Sequence, residues 1–252
     1  MIKIVITGIS GRMGKRIGLL AIEDKDFQII GAIEVSSSPF IGKDIGEVLG
    51  VNKLNRIVQP DISKIKDQYD IILDFTTPQA TTKYLDDARK KKVGIVIGTT
   101  GFTTYEMEMI KKSSSTIPIV YSPNMSIGAN LLFELVEEVA KDLGSEYEVE
   151  IIEAHHNKKK DAPSGTAKRL GEAVSNVRGK VPPIHSIRIG DIVGDHTVVF
   201  AGDGERIELT HKAHSRDAFA KGALNAAKFL YNRKPGLYSM HDVIKFGLRV
   251  KG

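Results

Sequence analysis

Cysteine and tryptophan are both absent from this 252-residue chain. Without cysteine there is no disulfide, no thiolate nucleophile and no cysteine-ligated metal site. That fits a reducing compartment, and the chain is expected to be cytoplasmic. Aromatic residues make up only 6% and no long basic stripe is present, so the usual signatures of nucleic-acid binding are missing. No apolar run approaches the roughly 20 residues needed to cross a bilayer. The short run Ile2–Thr7 leads straight into a glycine loop, so it reads as a strand and not as a signal peptide. Neither an internal repeat nor a low-complexity linker interrupts the chain. No nucleic acid and no membrane is expected as a partner.

What is present suits a globular protein with a real core. Hydrophobic residues are 41% and charged residues 27%, a balance typical of packed domains. The length suits one large domain or two modest ones. Basic residues outnumber acidic ones by 36 to 31, for a net charge of +5. Such an excess draws in small anions as readily as nucleic acid.

Strand and helix patterns alternate through the first half. Lys3–Thr7 is a short apolar run ending in glycine, as a buried parallel strand should. Arg12–Ile22 carries apolar residues at helical spacing. Phe27–Glu34, Asp70–Phe75, Gly94–Gly98 and Ile117–Tyr121 read as further strands. Pro78 suits the first turn of a helix running to about Lys92. Thr103 with Glu106 forms a capping box for the next helix. Strands joined by helical crossovers predict an α/β fold with a doubly wound parallel sheet. A helix from about Ala129 to Leu143 follows, and then Tyr147–Glu153 alternates like a half-exposed strand. His196–Phe200 and Arg206–Thr210 flank Gly202-Asp203-Gly204-Glu205, which reads as a hairpin with an Asp-Gly turn. Antiparallel strands after a parallel series predict a second, α+β domain. The final helix is expected from about Asp217 to Tyr231. The expected division is residues 1–126, with 217–252 returning to them, and residues 127–216.

Gly8-Ile9-Ser10-Gly11-Arg12-Met13-Gly14 joins the first strand to the first helix as G-x-x-G-x-x-G. A dinucleotide site needs a tight turn and bare backbone, so that pyrophosphate can reach the N–H groups and dipole of a helix start. Three glycines alone also describe a flexible loop. The strand–loop–helix setting and the acid Glu34, which ends the second strand, favour a cofactor. Glu34 stands where an acceptor for a ribose hydroxyl belongs. A carboxylate there favours the free 2′-hydroxyl of NADH over the 2′-phosphate of NADPH. Val35-Ser36-Ser37-Ser38 offers no arginine to offset the charge, although serine contacts or Lys43 leave NADPH open as a second cofactor. Gly98-Thr99-Thr100-Gly101 and Phe75-Thr76-Thr77 end later strands, where doubly wound folds bind ligands. Each either faces the nicotinamide or is a plain turn.

The segment Glu153-Ala154-His155-His156-Asn157-Lys158-Lys159-Lys160-Asp161-Ala162-Pro163-Ser164-Gly165-Thr166-Ala167 leaves a strand, crosses a polar loop and enters a helix. Ser164 is a suitable N-cap, so Gly165, Thr166 and Ala167 would offer backbone N–H groups to an anion. Two histidines and three lysines lie just upstream, which concentrates positive charge and proton donors. The histidines have no third ligand nearby and no H-x-x-x-H spacing, so no metal is expected. The lysines alone would read as a solvated run. Their coincidence with the anion site and the dinucleotide loop points to chemistry on a small carboxylate. His211 and His214 lack such company and read as structural or peripheral.

The Glu153–Ala167 stretch, with its HH…K-D-A-P-S-G-T-A core, resembles the signature of the 4-hydroxy-tetrahydrodipicolinate reductase family. Gly8–Gly14, Asp74-Phe75-Thr76, Gly98–Phe102, Ser122-Pro123-Asn124-Met125-Ser126 and Gly190–Gly194 also resemble that family's motifs, in the same order, across essentially the whole chain. The resemblance implies a Rossmann-type cofactor domain and an α+β domain that binds substrate and forms a homotetramer. It implies that the extreme C-terminal segment rejoins the cofactor domain. It implies reduction of 4-hydroxy-tetrahydrodipicolinate with NADH or NADPH in lysine and diaminopimelate biosynthesis. By the same resemblance, His155 and Lys159 are the acid–base pair, His156, Gly165 and Thr166 hold a small dicarboxylate substrate, and Ser122, Pro123, Asn124 and Met125 lie near the nicotinamide with Gly98, Thr99 and Thr100. Family members often carry a basic residue after the ribose-binding acid, and Val35 departs from that. Asn157 replaces another residue that is often basic, and no catalytic role is assigned to it. The rival readings are a reductase of another imine or keto acid, and a cofactor-binding sensor without turnover.

Overall fold

The computed structural model describes residues 1–249. Residues 250–252, the extreme C-terminus that the resemblance expects beside the cofactor domain, lie outside the described residues. The chain divides into two compact units: Met1–Met125 with the stretch from Phe219, and Ser126–Ala218.

The first unit is α/β. Strands β1 (Ile2–Thr7), β2 (Phe27–Ile33), β3 (Val58–Gln59), β4 (Ile71–Asp74), β5 (Gly94–Ile97) and β6 (Pro118–Tyr121) all pair in parallel. Between them run α1 (Arg12–Glu23), α2 (Ile45–Leu49), α3 (Pro78–Lys91) and α4 (Thr104–Ser113). The central strands β1, β2, β4 and β5 bury both faces. In β1, Ile4 and Ile6 join one core and Val5 the other. Such double burial needs the near-continuous Ile and Val runs seen in the sequence. Each full burial contributes roughly 1.5–3 kcal/mol. The predicted punctuation is present. Thr77 caps α3 with Pro78 in its first turn, and Thr103 and Glu106 form a reciprocal capping box.

The second unit holds α5 (Ile127–Asp142), β7 (Glu148–His155), α6 (Gly165–Arg178), β8 (Ile184–Arg188), β9 (Gly194–Gly202) and β10 (Glu205–Ala213). Its sheet runs β10-β9-β7-β8. The β9–β10 hairpin turns at Asp203-Gly204, with Gly204 at φ +82. The sheet is mixed, because β8 pairs with β7 in parallel. The alternation of β7 turns Val149 and Ile151 towards α5 and α6, and it leaves Glu148, Glu150 and Ile152 exposed. Its next two inward positions are Glu153 and His155.

The chain then returns to the first unit through α7 (Asp217–Leu230), β11 (Gly236–Tyr238) and α8 (Met240–Arg249). Thus α7 is not the final helix, contrary to expectation. Strand β11 adds to the sheet beside β6, giving the order β11-β6-β5-β4-β1-β2-β3. Among the described residues no helix is long and apolar enough to cross a membrane.

Candidate functional site

In the first unit, β1 delivers the chain into Gly8 at φ +68. The Gly8 N–H donates to the Ile33 carbonyl at 2.8 Å, and the Gly11 N–H folds back to the Gly8 carbonyl at 3.0 Å. A Cβ on Gly14 would lie 2.1 Å from the Gly8 oxygen and 2.8 Å from the Ile9 Cα. Helix α1 therefore meets the loop at a distance only glycine permits. Gly11 caps α1 without a side-chain hydrogen bond. The helix start thus presents bare backbone, as a pyrophosphate requires. Ile9 is buried in the core and offers only its backbone, Arg12 is exposed, and Ser10 and Met13 are half-buried. The Ser10 N–H donates to Glu34 Oε1 at 2.7 Å, which ties the loop to the acid at the end of β2. Lys43 reaches over the Phe40 ring, with Nζ 5.6 Å from its centroid.

The neighbouring strand ends converge on one carboxylate. Asp74, fully buried at the end of β4, accepts from Thr7 Oγ1 at 2.7 Å, Thr76 Oγ1 at 2.6 Å and Thr99 Oγ1 at 3.2 Å, and also from Thr81. Thr99 in turn accepts the Thr76 N–H at 2.9 Å. Burial pushes the Asp74 pKa up, against the pull of these hydroxyls. Gly98 packs against the Phe75 ring where a Cβ would lie 2.1 Å from a ring carbon, and Thr100 is exposed. Ser122 Oγ donates to the Asn124 carbonyl at 2.6 Å, closing a tight turn with Pro123 exposed. Met125 is buried beside Gly222 of α7.

In the second unit the basic segment folds around Glu153. Strand β7 runs two residues beyond the expected end, so His155 is a strand residue facing the core and not a loop residue. Glu153 is fully buried. Its Oε1 accepts Arg188 Nη2 at 2.7 Å and the Ser164 N–H at 3.2 Å, and its Oε2 accepts Arg188 Nη1 at 2.9 Å. The ring Nδ1 of His155 also hydrogen-bonds to Oε2. Burial alone would raise the Glu153 pKa, but hydrogen bonds from Arg188, Ser186 and His155 outweigh it and bring the value to about 2. Burial lowers the His155 pKa more than Glu153 restores it. His155 Nε2 has no hydrogen-bond partner among the described residues. It faces Gly194, where a Cβ would lie 3.1 Å away.

Ser164 caps α6 as predicted, accepting the Ala167 N–H at 3.1 Å. Its hydroxyl also meets His196 Nε2 at 3.1 Å. The His196 ring stands edge-on to His155, with centroids 5.1 Å apart. Burial, helped by the nearby His155, drives the His196 pKa down to about 3. Lys159 pairs with Asp161 Oδ1 at 2.8 Å, and Arg188 Nη2 also donates to the Asp161 carbonyl at 2.6 Å. Lys158 and Lys160 are exposed. His156 carries a buried Nδ1 with no partner among the described residues. Gly165 is exposed at the start of α6, and a Cβ there would meet nothing within 4 Å. His211 hydrogen-bonds the α5 cap Ser126 at 3.2 Å, a structural role. No metal-binding cluster occurs among the described residues.

Sequence reasoning assigned no role to Glu153, Arg188 or His196. For Glu153 the period-2 pattern of β7 was an available signal. Arg188 and His196 arrive from β8 and β9, and nothing local marks them.

The family model described as "Dihydrodipicolinate reductase, N-terminus" matches residues 2–125, and "Dihydrodipicolinate reductase, C-terminus" matches residues 128–244. The chain belongs to the dihydrodipicolinate reductase family. A 4-hydroxy-tetrahydrodipicolinate reductase of Syntrophus aciditrophicus is 43% identical over 98% of this chain and 99% of its own length. Another, from Hahella chejuensis, is 44% identical over 97% of this chain and 99% of its own. Among solved structures, a dipicolinate-bound dihydrodipicolinate reductase from Paenisporosarcina superposes with a TM-score of 0.80 at 24% identity, covering 96% of this chain and 98% of that one. An amine dehydrogenase from Mycobacterium smegmatis superposes at 0.64 with 12% identity, covering 96% and 95%. These two likenesses speak to the fold alone. Family membership makes this chain a nicotinamide-dependent oxidoreductase.

Proposed function

We propose that this chain reduces 4-hydroxy-tetrahydrodipicolinate to tetrahydrodipicolinate, as a step of lysine and diaminopimelate biosynthesis. The observation that carries the reading is the Glu153–Ala167 segment. It sets a carboxylate-backed histidine, a lysine and a capped helix start in one buried-edge cluster. The first unit is the dinucleotide-binding domain, with residues Gly8–Met13 and Glu34 on the cofactor and the turns at 98–100 and 122–125 towards its nicotinamide. The Gly14 contact and the uncapped start of α1 fit a pyrophosphate. Glu34, with exposed Val35 beside it, favours NADH over NADPH.

When bound, the nicotinamide supplies a hydride to the substrate ring. The residues of the second unit do the rest. Backbone N–H groups at Gly165 and Thr166, with His156, hold the two substrate carboxylates. The Lys159 ammonium, released from Asp161 by that incoming negative charge, lies in the same loop. Lys159 or His155 delivers the proton that balances the hydride and assists departure of the ring hydroxyl as water. Orientation and preorganised charge supply most of the rate, and acid catalysis adds about 10²–10⁴-fold.

The outer face of the second sheet carries Ile152, Val199 and Ile187 beside charged residues. That patch supports assembly of this unit into a homotetramer, to be checked by light scattering. The function is tested by following NADH and NADPH oxidation with substrate made in situ from pyruvate and aspartate semialdehyde. Substrate-dependent oxidation is expected with both, faster with NADH. Folded protein that binds NADH and oxidises neither would overturn the reading.

A further inference from the structure

We propose that Glu153 is a positioning residue for this reaction: its carboxylate locks His155 with a proton on Nδ1 and so directs Nε2, past Gly194, as the atom that exchanges protons. The proposal rests on the reading of His155 as a reacting group.

An ionised carboxylate only accepts hydrogen bonds. Arg188 takes one site on each oxygen, and the Ser164 N–H takes a second on Oε1. His155 Nδ1 meets the same carboxylate on Oε2, and Ser186 is a further hydroxyl donor to it. The imidazole must therefore donate through Nδ1, and the neutral ring carries its lone pair on Nε2. Any proton the ring gains lands on Nε2 and leaves from there. A carboxylate behind the histidine of a serine-protease triad acts in the same way. Gly194 completes the arrangement, because any side chain there would crowd Nε2.

A purely structural ion pair would not need this third partner. Buried pairs of that kind can often be exchanged for apolar residues without loss. Here the same anion also holds the first turn of α6 through Ser164, so one group fixes both the proton-exchanging ring and the proposed carboxylate site. The charged and titratable groups facing His155 are Glu153 on its own strand, Arg188 from β8, His196 from β9, and Lys159 with Asp161 from the loop. Of these, Glu153 is the anion in direct contact with the ring, and Asp161 is already engaged by Lys159. Replacing Glu153 by glutamine thus removes the main support for the protonated ring.

The test uses nitrogen-resolved imidazole spectra of the wild-type protein, with His155 assigned against His155→Gln, and pH profiles of turnover for wild type and Glu153→Gln. Support requires the Nδ1–H tautomer in the wild type. It also requires that in Glu153→Gln the His155 titration and the high-pH limb of kcat both move to lower pH, that kcat falls at least tenfold, and that KM for the dicarboxylate changes less than kcat. An Nε2–H tautomer in the wild type overturns the proposal, even if the variant does not fold. So does a variant that loses activity through KM alone with its pH limb unmoved. Full turnover in His155→Ala would instead remove the underlying reading. The tautomer measurement, which needs no turnover, separates that failure from failure of the Glu153 lock.

Discussion

The carboxylate of Glu34 accepts the backbone N–H of Ser10 at 2.7 Å. On the proposed reading, the acid set to read the ribose is oriented by the loop proposed to hold the pyrophosphate. Charge-assisted hydrogen bonds of this kind are worth about 1.5–3 kcal/mol. Glu34→Gln is expected to lower kcat/KM for NADH by about tenfold. NADPH should lose much less, so the ratio of the two efficiencies moves towards NADPH. An unchanged ratio would show that Glu34 does not read the ribose.

The Lys159–Asp161 pair and the Glu153–His155 contact lie in the second unit, apart in sequence from the dinucleotide loop. Lys159→Ala and His155→Ala should each lower turnover by about 10²–10⁴-fold. NADH affinity, measured by fluorescence titration, should stay near that of the wild type. Turnover retained in both variants would sink the assigned roles.

Two glycines give opposite expectations. At Gly14 a Cβ would strike backbone at 2.1 Å, whereas at Gly165 it would meet nothing within 4 Å. Gly14→Ala should cost about 1–3 kcal/mol of stability by overpacking and weaken NADH binding. Gly165→Ala should leave the urea midpoint unchanged and raise only KM for the dicarboxylate. Equal denaturation midpoints for the two variants would contradict the close approach of α1 to its loop.

Acid should destabilise the protein in two stages. His196 titrates at about 3 against an ordinary 6.5, and Glu153 at about 2 against 4.5. Both folded values lie below the unfolded ones, so the unfolded chain binds more protons in each window and stability falls as pH falls. The His196 contribution is lost from about pH 6.5 towards 3, and that of Glu153 from about 4.5 towards 2. His155 and His211, also lowered by burial, act in the same direction, while Asp74, raised by burial, acts oppositely. His196→Gln should flatten the fall in Tm between pH 6.5 and 4.5 and leave the steeper loss below it. Each kcal/mol removed corresponds to roughly 2–4 °C.

Much of this architecture was legible from short-range chemistry. The Ile and Val runs of β1, β4 and β5 mark strands buried on both faces. Thr103 with Glu106 and Ser164 before Gly165 mark helix starts, because capping is settled within four residues. Strands β3 and β11 were not legible, since two or three residues carry no period. Strand β8 shows no alternation that would betray it. In the candidate site, the glycine loop and Glu34 announce themselves by spacing, whereas Arg188 and His196 reach Glu153 and Ser164 only through the pairing of β8 and β9 with and beside β7. Such long-range register lies beyond local pattern. The role of Glu153 was hidden by a boundary: a strand expected to stop there continues to His155, and only that extension puts acid and imidazole on one face.

The return of the chain to its first unit sets an order of assembly during synthesis. The second unit is contiguous, so it can fold as soon as its residues leave the ribosome. The first unit cannot. Its core includes Ala220, Ala223, Leu224, Ala226, Ala227, Phe229, Leu230, Met240 and Val243 from α7 and α8, and its β6 stays an open sheet edge until β11 arrives. A nascent chain stalled before Gly236 would thus carry a complete second unit beside an unfinished dinucleotide fold with a sticky strand edge, and that stage is where a chaperone would find something to hold.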